Sequence, residues 1–169
     1  MTAEVWIRDA VGEDLPQIIM IYNASIPFYL ATADTEPITV ESRLAWFAAH
    51  TPDTYPLWVV ENAQNQVIGW LGFQRFYGRP AYAKTAELSI YLHQEHQGKG
   101  LGKLLLSRAI TQGKTLGLQT LLGFIFAHNE PSLRLFTGLQ FEQWGFLPRV
   151  AILDNQERDL VILGRRLST

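Results

Sequence analysis

The chain has 169 residues, of which 47% are hydrophobic and 18% charged, a balance that fits a folded globular protein and excludes a disordered tail or a fibre. Its formal charge of −2, from 14 basic and 16 acidic residues without charge blocks, leaves no electrostatic footprint for nucleic acid and favours a small-molecule partner. Cysteine is absent, which excludes disulfides, thiolate zinc sites and a cysteine nucleophile, and suits a reducing cytoplasm.

The length favours one domain, residues 1–169, that can bury a full core. Met1 to Asp9 lack the basic flank and apolar core of a signal peptide, and no apolar run reaches membrane-spanning length. A cytoplasmic location without a membrane partner is expected. Val5, Ile7 and Ala10 open as a strand, and Leu15, Ile18, Ile19, Ile21 and Tyr22 follow at helical spacing. A polar stretch from Thr32 to Pro37 precedes a second helix, which the Thr39 hydroxyl can cap and whose expected inner face holds Leu44, Phe47 and Ala48.

Leu57 to Val60 and Val67 to Phe76 are β-branched and aromatic, with Asn62 to Gln66 as a polar hairpin connection. Ala86 to Leu92 reads as a third strand of this meander and leads into Gly98-Lys99-Gly100-Leu101-Gly102, after which Leu101, Leu104, Leu105 and Ala109 recur at helical spacing. Thr120 to Ala127 is a short continuous apolar run, expected to be buried on both faces and parallel to the strand before the glycine turn. Asn129, Glu130 and Pro131 start a helix with Leu133 and Phe136 inward, and Phe141 to Leu147 and Leu160 to Leu167 close the chain as strands.

A glycine-rich turn from a strand into a helix exposes backbone N–H groups at the positive end of a helix dipole, which makes an anion site. Gly100 and Gly102 leave room for a pyrophosphate, and Gln97, Lys99 and Lys103 supply polar and cationic edges. A nucleoside-triphosphate loop needs Ser or Thr after its lysine, where Gly100 stands; a dinucleotide fold needs a different final glycine spacing and an early strand. The surviving readings are a plain strand-to-helix turn and a Gln-x-x-Gly-x-Gly coenzyme loop.

The second resembles the coenzyme A loop of the GNAT N-acetyltransferase superfamily. The similarity runs from Val5 to Leu167, and it is greatest to the branch that acetylates phosphinothricin and methionine sulfoximine. It is carried by Ile21-Tyr22-Asn23, Asp34-Thr35-Glu36-Pro37, Thr85-Ala86-Glu87, Tyr91, Gln97 to Gly102, and Asn129 with Pro131-Ser132.

The resemblance implies a mixed, mostly antiparallel α/β (α+β) sheet flanked by helices. It implies acetyl transfer from acetyl-CoA to the primary amine of a small amino-acid-like substrate. A peptide or protein N-acetyltransferase and a non-catalytic acyl-CoA sensor are the alternatives. It further implies backbone contacts from Ile90, Tyr91 and Leu92 to the pantetheine arm and thioester oxygen, a diphosphate cradle from Gln97 to Lys103, and contacts of Asn129 and Ser132 with the coenzyme arm. A homodimer is expected on the same ground.

Amine acetylation needs a proton acceptor, and Glu87 matches the family's glutamate; on residue type alone an edge-strand structural carboxylate competes. Arg75, beside Phe76, matches a substrate-contacting position and could pair with a substrate carboxylate; a solvated hairpin arginine is the alternative. Many superfamily members carry a tyrosine acid where this chain has Phe136, and Tyr82 and Tyr91 are weak substitutes. The region that carries histidines in phosphinothricin-specific members reads Asp154-Asn155-Gln156-Glu157-Arg158, so the amine itself stays open. His93 and His96 have metal-like spacing but lack a third ligand, and no metal is expected.

Overall fold

The chain folds, in the computed structural model, as β1 (Val5–Asp9), α1 (Leu15–Ser25), α2 (Leu44–Ala48), β2 (Leu57–Asn62), β3 (Val67–Arg75), β4 (Thr85–Leu92), α3 (Leu101–Thr115), β5 (Thr120–Phe126), α4 (Glu130–Gly138), β6 (Glu142–Leu153) and β7 (Gln156–Arg166). Residues 4–167 are described, so the reading of the amino terminus as lacking a signal peptide lies partly outside them. All seven strands join one sheet in the order β1-β2-β3-β4-β5-β7-β6. Every neighbouring pair is antiparallel except β4 with β5, so the mixed, mostly antiparallel sheet expected from the sequence is present.

Seven of the nine residues of β3 are buried, because helices cover both faces of the sheet at its centre. On one face α3 and α4 pack Leu101, Leu105, Leu106, Ala109 and Phe136 against Leu71, Phe73, Ala86 and Leu88. On the other, Ile18 and Ile21 of α1 meet Leu57, Val59, Val67 and Trp70. Arg8 of β1 reaches Asp14 and Glu61, both at 2.7 Å, and so pins the start of α1 to the sheet edge. Burial pushes the Asp14 carboxyl up, but the Arg8 hydrogen bonds and the Val11 N–H outweigh it and hold the group below its ordinary range.

Three expectations are corrected. The helical part of α2 is only five residues long, and the side chains it turns inward are Trp46 and Phe47; Leu44 is 56% exposed and Ala48 faces outward. Thr39 Oγ1 does accept the Ser42 N–H at 3.2 Å in the turn before it. In α3 the buried stripe runs Leu101, Leu105, Ala109 with Leu106 and Ile110, while Leu104 falls outside it. The last two strands are longer than read. They extend past Pro148 to a two-residue turn at Asp154 and Asn155, both with positive φ (51° and 59°), which matches the right-handed twist of a tight hairpin. Among the described residues no helix is long and apolar enough to cross a membrane.

Candidate active site

Because side chains alternate along a strand, register decides what β4 presents to each face. Ala86 and Leu88 enter the core under α3. Glu87 points the other way, paired across β3 with Gln74. It also sits opposite Leu122 in the parallel ladder, so it lies inside the sheet rather than on an edge strand. Among the described residues Glu87 makes no ion pair or side-chain hydrogen bond, and burial alone pushes its carboxyl above the ordinary value. A half-buried carboxylate without a partner is costly to keep charged, and it is poised to accept a proton.

Glu87 is also the last residue of the parallel pairing. β4 and β5 are in register only at Thr85–Thr120, Ala86–Leu121 and Glu87–Leu122; beyond that β4 runs on beside β3 and β5 beside β7. Two cavities occupy the gap. One, of about 410 Å³, is lined by Glu87, Ser89, Phe124 and Phe126. The other, of about 350 Å³, is lined by Leu92, Gln97, Gly98, Gly100, Gly102 and Lys103. Ala31, Ile90, Asn129, Ser132 and Phe136 belong to both walls, so the two form one trough from the glycine turn to Glu87.

Gly98 and Gly100 have φ of +71° and +84°, with nothing within 4 Å of where a side chain would begin. Both therefore need glycine for their backbone conformation, and the space outside them is open. Gly100 caps α3, whose first amides, from Leu101 to Lys103, have no partner within the helix. The Leu101 side chain is buried in the core, so only its backbone is available to a ligand. Gly102 answers a different need: a Cβ there would stand 3.0 Å from Leu135 Cδ2, so its bareness lets α4 approach. Gln97 Nε2 donates to Leu92 O at 3.3 Å and ties the turn to β4. Lys99 is exposed. His93 Nδ1 accepts the Glu95 N–H, and no cluster of three metal-binding side chains occurs among the described residues.

Asn129 caps α4, its side chain accepting the Ser132 N–H at 3.3 Å, and its Nδ2 donates to Leu30 O. His128 Nε2 reaches Tyr29 O at 2.7 Å, and the Tyr91 hydroxyl donates to Ala31 O at 3.1 Å. Three side chains from both sides of the gap thus hold three consecutive carbonyls of the loop that roofs it. Desolvation, with Tyr22 next, pushes the Tyr91 phenol far above its ordinary range, which keeps it a donor. Phe136 is 4% exposed, with its ring against Gly123, where a Cβ would clash at 2.7 Å. It forms the floor of the trough without a hydroxyl. Tyr82 meets the Phe76 ring edge-to-face, 5.2 Å between ring centres, and lines neither cavity.

The structure brings together Glu87, Ile90, Tyr91, Leu92, Gln97, Gly98, Gly100, Gly102, Lys103, Asn129 and Ser132 along this trough. Phe76 reaches it through Phe124, 6.5 Å away between ring centres. Arg75 is not among them: it stands opposite Ala86, out of phase with the Gln74–Glu87 pair, and its guanidinium lies over the Tyr55 ring at 5.3 Å. Sequence reasoning missed His128, which stands beside the recognised Asn129, and the part that Arg43 and Gln74 play in a pocket whose other walls include Tyr22 and Trp46. His128, Arg43 and Gln74 belong to no motif or periodic pattern.

A parallel strand pair that parts after three register steps, with bare helix amides at one end of the gap and a lone carboxylate at the other, belongs to the N-acetyltransferases that use a coenzyme A thioester. Residues 18–141 match the acetyltransferase (GNAT) family, and the chain belongs to that family; it is an acetyl-CoA-dependent N-acetyltransferase. It is 47% identical over 162 residues to YwnH of Bacillus subtilis, whose name assigns it provisionally to phosphinothricin acetylation, covering 96% of this chain and 99% of that protein. It is 33% identical over 161 residues to the L-methionine sulfoximine/L-methionine sulfone acetyltransferase of Pseudomonas paraeruginosa, covering 95% and 94%. The solved phosphinothricin acetyltransferase of Sinorhizobium meliloti in complex with acetyl-CoA superposes with a TM-score of 0.92 at 32% identity, over 99% of this chain and 90% of that one.

Proposed function

We propose that the enzyme acetylates the primary amine of a small amino acid of the phosphinothricin or methionine sulfoximine type. The observation that carries this reading is the unpartnered Glu87 carboxylate at the point where β4 and β5 separate, in a chain similar over nearly its whole length to a sulfoximine acetyltransferase.

The open turn at Gly98 and Gly100 and the amides of Leu101 to Lys103 suit a diphosphate, with Gln97, Lys99 and Lys103 as polar edges. Bound acetyl-CoA supplies the acetyl group as a thioester. Alternate backbone groups of Leu88 to Leu92 lack a strand partner beyond Glu87. They serve the extended arm and the thioester oxygen, and Asn129 and Ser132 flank the arm from α4. Glu87 takes a proton from the substrate ammonium through a water, so that the free amine can attack. Phe136 provides no acid; with an ordinary thiol pKa of about 8.5, the leaving group departs as a thiolate when the thioester C–S bond breaks, and the second amine proton passes to solvent.

The same reading treats residues 1–169 as one catalytic domain working in the cytoplasm as a homodimer. Trp144, Phe146, Val150 and Ile152 are 45–68% exposed along the edge strand β6, apolar surface at a sheet edge that a second copy would cover.

The test is coenzyme A thiol release with a panel of acceptors. Methionine sulfoximine and phosphinothricin are expected to release thiol at rates well above those with polyamines or peptides. Release with peptides alone would replace this reading with peptide acetylation. Binding of acetyl-CoA without release for any acceptor would replace it with a sensor.

A further inference from the structure

A second pocket, of about 320 Å³, lies between α1, α2 and the β3–β4 face that carries Glu87. It adjoins the trough, since Ser89 and Tyr91 line both. Gln74, in its wall, is the direct cross-strand partner of Glu87, and side chains in that relation lie about 5 Å apart at their Cβ atoms. Whatever occupies this pocket therefore lies one cross-strand neighbour away from the carboxylate that handles the amine.

The walls carry no carboxylate and a single permanent charge, the Arg43 guanidinium; Ile18, Tyr22, Trp46 and Trp70 supply apolar and aromatic surface. Arg43 is about two-thirds buried, and its only ion pair among the described residues is one 3.5 Å contact from a terminal nitrogen to Asp34 Oδ2. That contact is at the limit of a hydrogen bond and uses one of five N–H donors. Asp34 is itself occupied by the Tyr22 hydroxyl, which also meets Thr32 Oγ1. The Tyr22–Asp34 pair thus meets the guanidinium through one terminal nitrogen, and no other hydrogen bond engages its fork among the described residues.

An amino acid presents a carboxylate one carbon away from its amine, and a two-pronged Arg–carboxylate pair is the strongest neutralisation a protein offers it. We infer that this pocket seats the α-carboxylate of the acceptor on Arg43, with the amine delivered to Glu87 across Gln74. The inference rests on the amino-acid acceptor proposed above and names the residue that selects it. Arg75, which leaves the opposite face of β3 and stacks on Tyr55, has no such access.

Methionine sulfoximine has one acidic group, so its carboxamide isolates the contact. Thiol release and ligand-observed NMR binding are measured for both compounds with wild type, Arg43→Gln and Arg75→Ala, after circular dichroism and acetyl-CoA titration show each variant folded. Wild type is expected to favour the acid over the amide. Arg43→Gln is expected to lose about 10–100-fold in kcat/KM on the acid, mainly through KM, with a change below about threefold on the amide. Equal losses on acid and amide, or an acid-specific loss in Arg75→Ala alone, would overturn the assignment. Arg43-dependent binding of the acid without thiol release would preserve the pocket and overturn the acceptor reading. Release without acid preference would do the reverse.

Discussion

Glu87→Gln is expected to turn over about 10²–10⁴-fold more slowly than wild type, the usual contribution of a positioned general base, while its affinity for acetyl-CoA changes little. The substitution keeps the shape of the side chain between Gln74 and Leu122 and removes only the ability to take a proton. Burial raises the Glu87 carboxyl above its ordinary value, so the acid limb of the wild-type kcat/KM profile should sit above the usual carboxyl range near roughly 4.3. That limb should vanish in the Gln variant.

As pH approaches the pKa of the substrate amine, solvent supplies free amine and the deficit of the variant should shrink. A profile parallel to wild type at every pH would leave Glu87 a packing residue. Stability moves the opposite way. A carboxyl whose folded pKa is raised favours folding fully below its ordinary pKa, and that advantage is lost as pH rises through the raised value. Glu87→Gln should therefore melt at a higher temperature than wild type near neutral pH, and the difference should close below about pH 4.

Gly100→Val is expected to weaken acetyl-CoA binding by about 10²-fold, the loss of one or two charge-assisted hydrogen bonds at roughly 1.5–3 kcal/mol each. Its φ of +84° is closed to a β-branched residue, so the turn must rearrange and the amides at the start of α3 lose their aim. The fold should survive, because nothing stands within 4 Å of the new Cβ.

Gly102→Ala is the contrasting variant. Its Cβ meets Leu135 at 3.0 Å, so the cost should appear as lower stability of the α3–α4 contact rather than as lost affinity. Gly102→Glu would mix the two effects. Calorimetric titration and thermal melting of the pair separate them, and unchanged coenzyme affinity in folded Gly100→Val would remove the turn from the binding site.

The order of elements was legible because alternation and apolar runs are strong in β2 to β5, and the glycine turn is marked by residue type. Register was not. The separation of Gln74–Glu87 from Arg75–Ala86 onto opposite faces follows from strand pairing, and no pattern around Arg75 announces which face it takes. Strand β6 reads from sequence as ending at Leu147, because Pro148 interrupts the pattern and the residues beyond it stay exposed, so no polar–apolar alternation marks the half that runs on to Leu153. Leu44 has the hydrophobicity of a core residue, but its helix makes little more than one turn, and nothing in the local pattern marks that length. Arg43 and His128 act through distant partners, Asp34 and the Tyr29 carbonyl, which only the folded chain brings near.

The parting of β4 from β5 leaves an edge in the interior of the sheet. Beyond Glu87 and Leu122, alternate amides of Leu88 to Leu92 and of Gly123 to Phe126 face a gap instead of a neighbouring strand, although the strands that carry them are central in the order. Amide protons in the middle of a sheet ordinarily exchange with solvent only through large openings; these should exchange quickly in the free enzyme, in a pattern of every second residue. Filling the gap with the coenzyme arm should slow that subset selectively. Hydrogen exchange would then record ligand occupancy as the closing of a seam in the sheet, read amide by amide, without reference to turnover.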